Sequence, residues 1–363
     1  MEIAMCCTRN WYIYLAIELY ALFKYNNIKK VYLFIEDDEI KFIKDDRIEF
    51  INVNKMPEYI YKTSPNYNTH FTKMSMIRCY FTKLLKCDKI LYIDADAIVI
   101  DNIEELWNID LKENVIAGVH ENGEWDKCFG LDGFDNTYIN SGVLLIDLKK
   151  IRNQKLDDEM IEKLNTKWYN LPDQDVINIV CKDKIMHISN IYNSTYTTGI
   201  VDNAKIVHYI GKGQKGWIKT TNRSEIWFKH HKEAILKGGS MENYKVIAKI
   251  NFTDYLGKET IPSNEHYDRI AGKSTWNCTK ERYLYLLEHN AVDLVEIEKI
   301  ELPKREEEKE YTQEEKKKIE KELEKQMNKV YSKIVIDTLK EIKPVKNVNK
   351  TTKNKTTKKK QEK

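Results

Sequence analysis

The chain has 363 residues, 42% of them hydrophobic and 32% charged, so a sizeable core coexists with a highly charged remainder. Its net charge of +3 is uneven: the last 20 residues, from Pro344, hold eight Lys and one Glu and leave the other 343 at about −4. That balance argues against a body that coats nucleic acid, and no apolar run is long enough to mark a membrane span.

Residues 2–7 read as a first strand, with apolar and polar positions mixed as they are not in a signal peptide. The seven cysteines are scattered, Cys6-Cys7 are adjacent and no CxxC pair occurs, which predicts reduced thiols in a cytoplasmic protein. Thr8-Arg9-Asn10-Trp11-Tyr12 supplies turn and cap residues, and Leu15, Leu19, Leu22 and Phe23 then fall at helical spacing. Residues 31–35 form a buried-type strand and 48–53 a third. Residues 72–86 read as a helix with Met76, Tyr80 and Leu84 on one face.

That helix feeds residues 89–93, Lys-Ile-Leu-Tyr-Ile, which the pattern marks as a central strand buried on both faces. Asp94 and Asp96 follow it, with Ala95 between. In an extended segment their side chains point the same way, just beyond the carboxyl end of a strand, where open α/β sheets place ligands. A hard divalent cation, Mg²⁺ or Mn²⁺, would offset the cost of two such close anions and would suit a nucleotide diphosphate. Alternating strands and helices predict a mixed sheet flanked by helices.

Residues 115–120 are another strand candidate and 121–135 a loop. Tyr138 to Asp147 reads as a turn running into a strand, with a helix near 154–168. Pro172-Asp173-Gln174-Asp175 opens an apolar helix, whose unpaired first N–H groups suit anionic partners. Residues 206–210 form a short strand before the turn Gly211-Lys212-Gly213-Gln214-Lys215-Gly216-Trp217. Composition then divides the chain into 1–238, a small α+β module at 244–302, a charge-dense amphipathic helix at 303–343 and a disordered Lys-rich tail at 344–363. The helix opens with Thr312-x-x-Glu315, and Ile319, Leu323, Met327, Val330 and Ile334 form its stripe. It would self-associate through 312–342 or dock on the body. The tail would either stay solvated or hold the protein weakly at anionic surfaces such as the inner membrane face.

Four segments, in order, resemble family-8 glycosyltransferases, the glycogenin and bacterial lipopolysaccharide galactosyltransferase group. They are Thr8 to Tyr12; Arg78 with Asp94-Ala95-Asp96; Asn140-Ser141-Gly142; and Asp173-Gln174-Asp175-x-x-Asn178 with His208-x-x-Gly211-x-x-x-Lys215-x-Trp217. The likeness covers residues 2 to about 230. It implies a GT-A fold, a Rossmann-like mixed sheet flanked by helices. The implied activity is Mn²⁺-dependent transfer of a hexose from a UDP-sugar to a glycan or protein acceptor, with retention at the anomeric carbon.

Carried over by residue, Asp94, Asp96 and His208 would bind the metal, with Ala95 inside the motif. Lys215 would meet the diphosphate beside Gly211, with Lys212 as the alternative cation of a loop one residue longer than the family's. Tyr12 would meet uracil, Thr8 and Asn10 the base and ribose, and Arg78 the phosphates. Asn140, Ser141, Asp173 and Gln174 would flank the donor sugar. Asp173 is the candidate nucleophile and Gln174 the neutral alternative. Taken singly, Tyr12 also fits core packing, His208 a structural role, Asp173 a helix cap and Asn140-Gly142 a turn.

Two other classes stay open: a UDP-sugar-binding or hydrolysing protein of the same fold, and an interaction protein that uses 244–343. Phe252-x-Asp254 and Glu281-Arg282-x-x-x-Leu286-Leu287 make 244–302 similar to small domains of phage structural proteins.

Overall fold

The computed structural model describes residues 1–69, 71, 73–121, 137–211, 213–238, 244–249, 251–254, 267–297 and 300–303. The expected loop at 121–135 lies outside them beyond its first residue, as do Lys212, the charged helix from 304 onward and the tail.

Seven strands make the main sheet: β1 (Glu2–Cys6), β2 (Lys30–Ile35), β3 (Ile48–Asn52), β4 (Lys89–Ile93), β6 (Ile116–His120), β7 (Ile139–Asp147) and β8 (Ile185–Ile188), while β5 (Ala97–Val99) pairs separately. Their order is β3-β2-β1-β4-β7-β6-β8, which puts β4 in the middle, as its apolar run predicts. β1 to β4 are mutually parallel, and β7 runs antiparallel to both its neighbours, β4 and β6. The amino end of β7 therefore meets the carboxyl end of β4, with the carboxyl end of β1 on the other side of β4.

Strand alternation builds two cores. Ile3, Met5, Leu91, Ile93, Val143 and Leu145 face one way, onto helix α1 (Tyr12–Tyr25). Ala4, Cys6, Ile90, Tyr92, Leu144 and Ile146 face the other, onto helices α2 (Leu148–Gln154), α3 (Leu156–Thr166) and α4 (Pro172–Cys181). The C-end of α1 is closed by buried Asn26, whose Nδ2 donates to Leu22 O at 3.1 Å while its Oδ1 accepts from Ile103 N at 2.8 Å.

Two expectations need correction. The predicted helix at 72–86 is three short pieces: Lys73–Met76, a 3-10 stretch Ile77–Tyr80 and Phe81–Leu84. The tight middle carries Arg78, whose Nε donates to Ser75 O at 2.8 Å and whose side chain is spent on buried partners. The helix expected near 154–168 is α3, and α2 precedes it across Lys155, which takes φ +55°. Asn140, Ser141 and Gly142 lie inside β7 and not in a turn, because Tyr138 and Ile139 already pair with the end of β6.

Past the strand β9 (Ile206–His208), which pairs with β5, comes helix α5 (Ser224–Gly238). The 244–302 segment holds a three-stranded antiparallel sheet, β13-β10-β14 (Thr275–Cys278, Tyr244–Ala248, Val292–Ile297), and helix α6 (Lys280–Glu288). A second pair, β11 (Phe252–Asp254) with β12 (Tyr267–Arg269), is antiparallel. Tyr244, Val246, Tyr283, Leu287 and Val292 share one apolar cluster with Ile13, Ile17 and Trp227, so hydrophobic packing runs unbroken from α1 and α5 into this segment.

Candidate active site

Asp94 leaves the end of β4 and Asp96 enters β5 across a turn closed by Ala97 N on Asp94 O at 3.0 Å. The carboxylates converge through that turn and not by straight-strand alternation, and Ala95 is buried beneath it. β5 pairs with β9 in a register that sets Ala97 opposite His208, and Tyr209 N donates to Asp96 O at 2.9 Å. The result brings His208 Nε2 to 3.2 Å from Asp96 Oδ1 and 3.7 Å from Asp94 Oδ2. One ligand atom from each of Asp94, Asp96 and His208 lies within 4.8 Å of the others.

Gly142 makes room for this. It accepts from Asp94 N at 2.8 Å, and a Cβ there would sit 2.1 Å from His208 Cε1 and 2.9 Å from Asp94 Oδ2. The glycine is required by close approach and not by turn geometry.

Each carboxylate has its own cation. Lys215 donates its ammonium to Asp96 Oδ2 and to Tyr209 O, the latter at 3.1 Å. Burial pushes the Asp96 carboxyl up, and Lys215 and then His208 pull it further down, so it lies below the usual carboxylate range. Arg78 Nη2 donates to Asp94 Oδ1 at 2.8 Å, and Tyr92, two residues back on the same strand face, donates its hydroxyl to that oxygen. Arg78 is buried, stacks 4.2 Å over the Tyr92 ring and also reaches Ser141 O at 2.5 Å and Asp173 Oδ2 at 3.2 Å.

Asp173 and Gln174 lie in the first turn of α4, which opens with Pro172. Buried Asn178 fastens that helix to β7, accepting from Ile139 N at 2.8 Å and donating to Ile139 O at 2.9 Å. Ser141 then joins the pair: its Oγ donates to Asp173 Oδ2 at 2.9 Å and its N–H to Gln174 Oε1 at 2.9 Å. The Gln174 carbonyl is thereby occupied, and its amide nitrogen donates to Tyr138 Oη at 3.3 Å. Burial raises the Asp173 carboxyl, against the pull of Arg78.

The structure thus joins Asp94, Asp96, His208, Lys215, Arg78, Ser141, Asp173 and Gln174 into one group, with Asn140 behind it. Thr8, half-buried, and Asn10, exposed, sit at the carboxyl end of the neighbouring β1. Tyr12 is 8% exposed, and its hydroxyl accepts from Glu36 N at 2.9 Å, at the end of β2. Gly211 is exposed and takes φ +91°. Three contributors escaped the sequence reading: Tyr92; Trp11, whose ring centroid lies 5.1 Å from Lys215 Nζ; and Asn193, whose Oδ1 lies 2.9 Å from His208 Nδ1. The two-residue spacing of Tyr92 to Asp94 and the place of Trp11 beside Tyr12 were signals that could have found them, but Asn193 carried no local signal.

Two carboxylates and an imidazole with Nε2 turned inward form a donor set that fits a divalent cation. Among the described residues no helix is long and apolar enough to cross a membrane, and Cys6, Cys7, Cys79, Cys87 and Cys181 are free thiols.

The model of Glycosyl transferase family 8 matches residues 2–221. A Haemophilus influenzae relative named as a glycosyltransferase is 29% identical over 202 residues, 51% of this chain and 60% of that one. The lipopolysaccharide glucosyltransferase WaaO of Escherichia coli is 31% identical over 146 residues, 35% of this chain and 43% of that one. This chain therefore spans less than two thirds of either relative. The galactosyltransferase LgtC, solved with donor and acceptor sugar analogs, superposes with a TM-score of 0.52 at 22% identity, over 63% of this chain and 95% of that one. That likeness is one of fold, the GT-A arrangement that the sequence motifs imply.

Proposed function

We propose a reaction from one premise: this chain belongs to glycosyl transferase family 8. It moves a hexose from a UDP-sugar, UDP-glucose or UDP-galactose, to a glycan acceptor, with retention at the anomeric carbon. A protein acceptor is the second choice, since one relative's name specifies lipopolysaccharide. The observation that carries this reading is the convergence of Asp94, Asp96 and His208 beside Lys215 at the carboxyl edge of β4.

Those three residues would hold Mn²⁺ in preference to Mg²⁺, because an imidazole is the softer ligand. Bound there, the cation supplies positive charge for the diphosphate leaving group. Lys215 would exchange Asp96 for a phosphate oxygen and add a second positive charge. Gly211 and Gly213 in its loop take φ +91° and +81°, a conformation that glycine adopts without a steric cost. Thr8, Asn10 and Tyr12, at the end of β1, would meet the nucleoside. Arg78 holds Asp94 and Asp173 on one guanidinium, which supports Asp173 as the nucleophile or charge stabiliser that a retaining transfer would need. Gln174, already bonded to Ser141 N–H, would position that corner.

The test is a screen of purified full-length protein with Mn²⁺ against UDP-glucose, UDP-galactose and UDP-N-acetylglucosamine, following UDP release and product mass. UDP release from one hexose donor, dependent on Mn²⁺, is expected. No release from any of them, or equal release in excess chelator, would overturn the reading.

A further inference from the structure

A directed row of side-chain hydrogen bonds runs behind His208 and meets the ligand cluster at that histidine. Glu121 Oε1 accepts from Asn140 Nδ2 at 2.6 Å. Asn140 Oδ1 accepts from Gly142 N at 2.9 Å and from Asn193 Nδ2 at 2.8 Å. Asn193 Oδ1 lies 2.9 Å from His208 Nδ1. All four side chains are buried, Asn193 completely.

The row has only one consistent polarity. A backbone N–H can only donate, so the Asn140 atom facing Gly142 is the oxygen. That oxygen requires the amide nitrogen of Asn193 opposite it. Asn193 must then turn its own oxygen to His208, and an oxygen there requires a proton on Nδ1. Nε2 is the nitrogen left to face Asp96 at 3.2 Å and Asp94 at 3.7 Å. In the opposite tautomer Nε2 would carry a hydrogen where a ligand needs a lone pair, and Nδ1 would meet the Asn193 oxygen with no hydrogen between them.

We propose that Asn193, oriented by Asn140 and Glu121, is a positioning residue that fixes His208 as the Nδ1–H tautomer and so presents Nε2 to a divalent cation. This rests on the metal reading of the site given above. Outer partners of ligating histidines act in this way, and their loss costs roughly 10–100-fold in metal affinity. The further backbone anchor is local: Asn193 O accepts from the Thr198 hydroxyl, which holds the residue in place independently of its amide.

The experiment uses full-length protein and three readouts: Mn²⁺ titration without nucleotide, thermal midpoint, and ¹⁵N-histidine NMR of the metal-free protein. Asn193→Ala removes the acceptor, and Asn193→Asp keeps an oxygen toward His208 but loses the amide that donates to Asn140. The expected results are an Nδ1–H signal for His208 in the unaltered protein, Mn²⁺ affinity roughly 10–100-fold weaker in N193A, and an affinity between those of the two proteins in N193D. Asp96 Oδ1, an acceptor 3.2 Å from Nε2, also takes a proton there in the metal-free protein, so the deciding signal is at Nδ1: an Nδ1 without a proton in the unaltered protein, or unchanged Mn²⁺ affinity in folded N193A, overturns the positioning role alone. The NMR arm needs no variant, so it decides the question even where N193A fails to fold. Absence of Mn²⁺ binding by the unaltered protein overturns the metal reading itself, and the ligand-presenting role with it.

Discussion

The Lys215 ammonium rests on the Asp96 carboxylate, 5.1 Å from the ring centroid of Trp11. The side chain proposed to meet the diphosphate thus already neutralises one of the two carboxylates proposed to hold the metal. Lys215→Met is expected to bind Mn²⁺ alone several-fold tighter, because a competing cation is gone. Turnover should fall by roughly 100-fold, because the leaving group loses a positive charge. Mn²⁺ titration and initial rates read the two effects separately, and weaker Mn²⁺ binding in the variant would count against the competition.

Asp94→Asn and Asp96→Asn should each abolish Mn²⁺ binding and lower turnover by at least about 100-fold while the thermal midpoint stays close to that of the parent protein. Removing one of two close anions relieves like-charge repulsion, and the cations keep partners: Arg78 retains Asp173, and Lys215 retains Tyr209 O. Inactivity that unfolding accounts for in full would remove the metal role.

Gly142→Ala should damage the site through one methyl group. The new carbon would meet His208 Cε1 at 2.1 Å and Nδ1 at 2.7 Å, which forces the imidazole off its ligand position. Overpacking of this kind costs about 1–3 kcal/mol, so a folded but less stable protein with lost Mn²⁺ binding is expected. Calorimetry and Mn²⁺ titration check it, and full Mn²⁺ affinity in G142A would show that the strand gives way instead of the histidine.

His231 predicts an acid-sensitive joint. It is buried on α5, and its Nε2 lies 2.8 Å from the Tyr283 hydroxyl on α6. Burial, with a smaller push from Lys232, lowers its pKa from 6.5 to about 3. The unfolded chain therefore takes up a proton that the folded one refuses. The stability this neutral group contributes is complete above pH 6.5 and drains away as pH falls toward 3, by about 4–5 kcal/mol in all. His231→Gln, which keeps an amide for Tyr283 and does not titrate, should show a shallower fall in urea midpoint across that window. Identical pH profiles for the two proteins would refute the assignment.

Truncation after residue 240 should not yield a soluble catalytic fragment, although the ligand cluster lies wholly before that point. Ile13, Ile17 and Trp227 pack in one cluster with Tyr244, Tyr283 and Leu287, and the cut would open that cluster to water. Recovery of a monomeric 1–240 fragment with the parent's thermal midpoint would contradict this.

Much of the site was legible in the residues alone because its chemistry sits where strands end. Four apolar residues and two carboxylates mark the end of β4, and the period-two spacing of Tyr92 to Asp94 was there to be read. The order of motifs from Thr8 to Lys215 also implied the fold. Local pattern failed where long-range partners overrode it. The 72–86 segment has helical periodicity, yet its middle tightens around Arg78, whose partners Ser141 and Asp173 are distant in sequence. Gly142 looks like a turn glycine and is a strand residue that leaves space for His208.

What the sequence by itself determined is the chemistry available: two carboxylates one residue apart, an imidazole, a lysine, and strands alternating with helices. Only the tertiary structure decided how these meet. The β5–β9 pairing brings His208 to Asp96 across 112 positions of chain, and the row from Glu121 to Asn193 sets which imidazole nitrogen faces them. Hydrogen-bond polarity is a property of the closed network, since each amide's orientation is dictated by a neighbour that sequence spacing does not identify.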